Sequence, residues 1–192
     1  MSDGQQLALR LAALGFLTVV VQIAAVSQIT VFGVTADLSP LVVASVGLLA
    51  GSLPGAAFGF GVGLFVDLAL VQSLGVTSLL FIAIGYGAGR LRELRDPAHG
   101  LVPLVVGAVA TAFSTIGFAL MQFLLGVQAP VSWLLLRQVV VTILLGSLLA
   151  LPVSALVRRV VQGSLPEDPR RRRRRAYTTG GLSPLQRPSA GR

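Results

Sequence analysis

"GLLAGSLPGAAFGFGVGLFVD", residues 47–67, sets glycine at 47, 51, 55, 59 and 63 and an aspartate at the next step. A four-residue step holds residues on one face of an α-helix, so these glycines make a strip without side chains. A neighbouring backbone can come close along such a strip, which in a membrane replaces the missing hydrophobic drive for helix association. Gly51-Ser52-Leu53-Pro54 breaks the row, so it serves at least two helices. Asp67 stands alone among apolar neighbours, and its purpose is the question the stretch raises.

The rest of the chain says what surrounds that stretch. Of 192 residues, 54% are hydrophobic and only 11% charged, too little charge to cover a water-facing surface. The mean hydropathy is +0.85. From Leu11 to Ile84 the only charged residues are Asp37 and Asp67, whereas ten of the 15 arginines follow residue 157. This composition predicts an all-α integral membrane protein. No cysteine is present, which excludes a disulfide framework and cysteine-based zinc or nucleophile chemistry. The single histidine, His99, has no second imidazole with which to share a metal. The first apolar stretch, Leu11–Phe32, lacks a basic leader and a small-residue cleavage site, and is expected to be a retained helix rather than a signal peptide.

A hydrocarbon core of about 30 Å needs about 20 helical residues. Helices are expected over 11–32, 38–50, 53–71, 74–91, 100–125 and 133–157, giving a six-helix transmembrane domain over residues 1–157 in which the second helix is short. One helix over 38–71 would be about 51 Å long, too long for a single crossing. Gln72-Ser73 is expected to be a tight turn. With six crossings, Arg10, Arg90, Arg92, Arg95 and the ten arginines of the tail share one side, 14 in all, against Arg137 on the other. That asymmetry predicts cytoplasmic termini. Residues 158–192, rich in Arg, Pro, Gly and Ser, are expected to form a disordered polybasic tail.

Three features carry candidate function. The glycine strip, repeated by Gly85 and Gly89 in the fourth helix, packs the chain's own helices or receives a partner's helix. Asp67, about 21 Å into the third helix, and Arg137, about 6 Å into the sixth, share a depth near the outer interface. They are expected to form an intramembrane ion pair supported by Gln122 or Gln138; otherwise Arg137 snorkels to the headgroups and Asp67 caps near the surface. The run Arg170, Arg171, Arg172, Arg173, Arg174 and Arg175 is an anionic-lipid contact or a solvated topology signal. Only Tyr177 offers an aromatic beside it, so nucleic acid is not expected. No GxSxG, HExxH or P-loop pattern occurs, and neither an enzymatic activity nor a cofactor is expected.

Residues 38–92, "LSPLVVASVGLLAGSLPGAAFGFGVGLFVDLALVQSLGVTSLLFIAIGYGAGRLR", resemble the MreD family of bacterial rod shape-determining membrane proteins. The resemblance rests on Gly55, Gly59, Phe60, Gly63, Leu64 and Asp67, then Leu74-Gly75 and the Gly85-Tyr86 pair. It covers under a third of the chain, and the polybasic tail is not part of the family pattern. It implies a non-enzymatic scaffold of the cell-elongation machinery in the bacterial plasma membrane. The implied partners are MreC, the MreB filament and the RodA–transpeptidase peptidoglycan synthase. It extends the candidate helix-packing or partner groove to Gly55, Gly59, Gly63, Gly85, Tyr86 and Gly89. The family fold is similar to the substrate-binding subunits of energy-coupling-factor transporters, so the other function considered is a vitamin-binding subunit. Such a binder needs polar and aromatic residues lining an outward cavity, and the outer loops 33–37, 72–73 and 126–132 are short and nearly featureless.

The topology yields a direct test. Single cysteines at Asp96 and Gln128 are expected to react with a membrane-impermeant thiol reagent from opposite sides of the membrane. Labelling of both from outside would refute the six-crossing arrangement.

Overall fold

The computed structural model describes residues 3–24, 30–31, 34–35, 37–71, 73–94, 102–126 and 133–161. Six helices account for nearly all of them: α1 (Asp3–Ala24), α2 (Ser39–Ala50), α3 (Ser52–Ala69), α4 (Val76–Leu94), α5 (Val102–Leu124) and α6 (Trp133–Val161). Between α1 and α2, β1 (Thr30–Val31) pairs antiparallel with β2 (Val34–Thr35), with Thr30 opposite Thr35 and Val31 opposite Val34.

That small ribbon corrects the expected first helix. Helix α1 begins at Asp3 and ends at Ala24, whereas a helix over 11–32 would have included Thr30 and Val31. These residues belong to a β-branched run around Gly33, the composition that favours an extended ribbon over a helix. The polar residues Gln5, Gln6 and Arg10 lie on exposed positions of the first turns. At the other end of the chain, α6 runs through Arg158 and Arg159 to Val161, so the helix takes in the first residues assigned to the tail. Gln72 and the arginine run at 170–175 lie outside the described residues.

The break between the second and third helices is made by one residue. Gly51 has φ +104°, a conformation that costs a side-chain-bearing residue dearly. Its N–H bonds the Gly47 carbonyl to close α2, and its carbonyl accepts the Gly55 N–H to open α3. Pro54 sits in the first turn of α3, where its missing N–H has no helical partner to lose.

Helix α2 is the centre of the bundle. Ten of its twelve residues, Ser39 to Leu48, are buried. It packs on α4, α3, α6 and α5 and touches α1, while α3 packs on α4 and α6 on α5. A helix apolar all round and this short suits a position enclosed by others. Val19, Leu41, Val43, Val46, Phe81, Val157 and Val161 are among the most deeply buried apolar positions.

The outside of the bundle is also apolar. Leu53 is 78% exposed, Leu148 72% and Val109 62%, with Phe16, Phe60, Ile116 and Leu144 likewise on the surface. A water-soluble monomer rarely exposes contiguous apolar surface on this scale. Four of the helices are long and apolar enough to cross a membrane: residues Gln5–Ala24 of α1, α3, α5 and Arg137–Val161 of α6. Helix α4 has comparable length but carries Arg90, Arg92 and Glu93 in its last turns.

The glycines sort into two sets by what a side chain would meet. A Cβ at Gly59 would strike the Phe81 carbonyl, one at Gly85 the Gly55 carbonyl, and one at Gly63 the backbone of Ser78. At Gly61 and Gly87 it would meet nothing within 4 Å. Gly59→Leu is therefore expected to cost about 3 kcal/mol or more, beyond the usual overpacking penalty because the obstacle is backbone. Gly61→Leu should stay within about 0.5 kcal/mol of the native protein. Thermal unfolding in detergent compares them; equal losses would refute the assignment of the two faces.

Candidate functional site

The strip at 47–63 meets α4 backbone to backbone. Pairing runs antiparallel, with Gly63 against Ser78, Gly59 against Phe81, Gly55 against Gly85 and Gly89 against Ser52. Gly47 of α2 reaches the same stretch of α4, its missing Cβ leaving room for the Gly85 carbonyl and the Ala88 methyl, 3.1 Å from where that Cβ would lie. Gly55, Gly59, Gly63, Gly85 and Gly89 thus pack the chain's own helices α2, α3 and α4. The groove they would offer a partner is filled.

Tyr86 belongs to the other face. It is 48% exposed, and the Arg90 guanidinium lies 6.0 Å from its ring centroid, one turn along α4. It does not line the glycine contact, because two neighbouring residues on a helix point about 100° apart. Phe60 is exposed in the same way on α3, at 50%. The hairpin residues are therefore split: Gly55, Gly59, Gly63 and Gly85 inward, Phe60 and Tyr86 outward.

Asp67 is 1% exposed at the end of α3. Its Oδ2 accepts the Gly75 N–H at 2.7 Å, while Oδ1 is buried with no hydrogen-bond partner. Gly75 immediately precedes α4, so the carboxyl group fixes the chain at the entry to that helix, where unpaired N–H groups concentrate. One step beyond Gly63, it continues the strip that faces α4 and closes the hairpin across the turn. Gly75 has φ +96° and Val71 φ +52°, so this turn holds two residues in the left-handed region. Val71 pays a steric cost there that glycine avoids. The Ser78 hydroxyl, in the first turn of α4, is likewise buried and unpaired.

The expected ion pair is not formed. Arg137 is exposed on α6, and α6 packs on α5, α2 and α1 while Asp67 faces α4. Among the described residues the salt bridge is Arg90 with Glu93, at 3.4 Å. Equal depth placed Asp67 and Arg137 at one level, but the helices around α2 set them on different sides. Gln122 and Gln138 do not bond Asp67 either; the Gln138 carbonyl accepts the Thr142 hydroxyl.

Sequence reasoning missed a second carboxylate that mirrors the first. Glu93, near the end of α4, accepts the Ser52 hydroxyl at 2.6 Å and the Ser52 N–H at 3.3 Å. Ser52 opens α3, so α4 caps α3 as α3 caps α4. The Ser52 hydroxyl and then its N–H hold the Glu93 carboxyl below its ordinary range, burial opposes them, and the Arg90 guanidinium adds a lesser lowering. A carboxylate also suits the positive end of the helix dipole. The available signal was the spacing: in an antiparallel hairpin, residue 89 comes level with residue 51 once 55 pairs with 85, and Glu93 follows one turn later on the same face of α4.

Asp37 makes a third cap, accepting the Ser39 N–H at 3.0 Å at the start of α2. Burial raises its carboxyl above the usual range, and the Ser39 hydrogen bonds oppose that shift. The Gln22 side chain of α1 accepts the Leu38 N–H at 2.9 Å, tying α1 to the entry of α2. No group of three or more His, Cys, Asp or Glu residues that could hold a metal occurs among the described residues. Compared with known proteins, the chain matches no family model, no curated sequence and no solved structure.

The local geometry separates Asp67 from Arg137 experimentally. Asp67→Ala leaves the Gly75 N–H without its buried partner and is expected to cost about 1–3 kcal/mol. Arg137→Ala should change stability by less than about 0.5 kcal/mol, and the double variant should be additive. Thermal unfolding in detergent measures all three; a coupling energy above about 1 kcal/mol would restore the ion pair.

Proposed function

We propose that this protein is a non-enzymatic membrane scaffold of the bacterial cell-elongation machinery, a relative in kind of the MreD proteins its central third resembles. In this reading it lies in the plasma membrane with six crossings and both termini in the cytoplasm. It helps to organise peptidoglycan synthesis through an MreC-like single-span partner, with the MreB filament and the RodA–transpeptidase synthase in the same complex. The polybasic tail adds a contact with anionic lipid of the inner leaflet, at about 1 kcal/mol per arginine near the surface.

One observation carries the reading. The residues of the resemblance form a single hairpin, in which Gly55, Gly59, Gly63 and Gly85 lie at the contact and Asp67 holds the entry to α4 at Gly75. Phe60, Leu74 and Tyr86 from the same pattern point outward, 48–66% exposed. A hairpin welded along its inner face keeps its outer face in a fixed shape, which is what a protein that works by holding partners requires. Aromatic residues on such a face supply large contact area at low cost in side-chain entropy.

Affinity purification of the full chain from its native membranes, with partners identified by mass spectrometry, tests the reading. Recovery of MreC and synthase subunits is the expected result, and Phe60→Ala with Tyr86→Ala should weaken it while leaving the protein folded. Recovery of a paired ATPase and its membrane coupling subunit would instead establish the vitamin-transporter reading.

A further inference from the structure

Three helices pack on α4, and they leave one of its faces uncovered. Contacts with α2, α3 and α5 go with the burial of Ser78, Leu80, Phe81, Ile84, Ala88 and Gly89. The exposed residues of the helix are Leu79, Ala83, Tyr86, Arg90 and Glu93, with Gly87 beside them. Their steps alternate between four and three residues, the spacing of a seam along which two helices wind round each other.

This seam carries a knob next to a hollow. Tyr86 stands out from the helix, 48% exposed. Ala83 and Gly87, on either side of it in the chain, rise little above the backbone, and a Cβ at Gly87 would meet nothing within 4 Å. Small residues of this kind let a second backbone approach closely in a membrane. In a parallel helix pair, a knob at the position of Tyr86 enters a hole whose rim includes the residues three before, one after and four after it on the facing helix. On a second copy of this chain those are again Ala83, Gly87 and Arg90. The ring would meet two small residues and a guanidinium, the group that already lies 6.0 Å from the Tyr86 centroid within one chain.

The charges on the seam are self-complementary as well. Glu93 stands seven residues after Tyr86, at the next equivalent position, and the rim of its hole includes Arg90 of the facing helix. Within one chain the Arg90–Glu93 contact is long, at 3.4 Å, and both side chains are about half exposed. Two copies in one membrane share an orientation, so their two-fold axis lies along the membrane normal and the α4 helices run parallel. Knob and hollow, cation and anion, then stand level. A helix of another sequence would have to supply each of these features separately, whereas a second copy supplies all of them by symmetry.

We propose that two copies of this protein pair through α4 in a parallel, symmetric dimer, along Leu79, Ala83, Tyr86, Arg90 and Glu93. The dimer goes beyond the scaffold reading and stands without it.

Because the chain has no cysteine, a single introduced one reports a single position. In native membranes, a short bismaleimide is expected to join full-length Ala83→Cys into a species of twice the chain's mass. Gly61→Cys on α3 and Val109→Cys on α5, both on exposed positions, should stay single. Adding Gly87→Leu to the Ala83→Cys chain should cut the doubled species about tenfold by filling the hollow. Its side chain has room within one copy, so the amount of protein in the membrane should not change. Arg90→Glu, which sets a carboxylate against Glu93 of the second copy, should lower the doubled species about tenfold too. If Gly87→Leu reduces the protein level, Arg90→Glu carries the same test. The proposal is overturned if Ala83→Cys stays single or joins a chain of another mass. Equal joining at Gly61 or Val109 overturns it as well, and so does a doubled species that survives the substitutions at 87 and 90.

Discussion

The direct approach of α3 to α4, backbone on backbone, governs the rest of this structure. Gly55 and Gly85 meet through their carbonyls, Gly59 lies on the Phe81 carbonyl and Gly63 on the start of α4. Any side chain at these points would drive the helices apart. Because lipid is as apolar as leucine, burying leucine between helices gains little in a membrane, and close van der Waals contact is what association rests on. Gly47 extends the contact to α2, so three helices share one side-chain-free seam. The remaining helices, α1, α5 and α6, are arranged around α2, whose residues from Ser39 to Leu48 are buried.

Such a seam can slide, since glycine offers no knob to fix its register. Two carboxylates at opposite ends of the α3–α4 hairpin supply that register. Asp67 accepts the Gly75 N–H across the turn, and Glu93 accepts the Ser52 hydroxyl and N–H at the far end. Each helix thus provides the acceptor for the other's N-terminal region, satisfying donors that a helix cannot satisfy within itself. The two ends differ in environment: Asp67 is 1% exposed, whereas Glu93 lies in the open beside Arg90. A neutral side chain without an acceptor at 67 would leave the Gly75 N–H without its partner at the entry to α4, which explains why a polar residue stands in so apolar a run.

Fixing the inner face also fixes what lies outside it. Phe60 and Tyr86 stand on the outer surface of the welded hairpin, and Ala83 and Gly87 leave the space beside α5. Helices α3 and α4 therefore each carry small residues in two registers. Gly55, Gly59, Gly63, Gly85 and Gly89 serve the interior; Gly61 and Gly87 face open space.

The sequence by itself determined the apolar character, the helical class and the central break. Sparse charge and long apolar runs give helices long and apolar enough to cross a membrane, and the four-residue glycine step together with Gly51-Ser52-Leu53-Pro54 places α2 and α3 where they lie. These are legible because hydropathy and backbone freedom are properties of individual residues and their neighbours in the chain. The first helix was misplaced because apolarity alone does not separate a helix from the β-branched strands at 30–31 and 34–35. Only the tertiary structure decided what each glycine faces, since a strip on a helix looks the same whether the chain or a partner covers it. It also decided that Asp67 meets Gly75 rather than Arg137. Depth along a helix can be counted from sequence, but the direction a residue faces around a bundle depends on which helices are neighbours, and that is set by packing on α2.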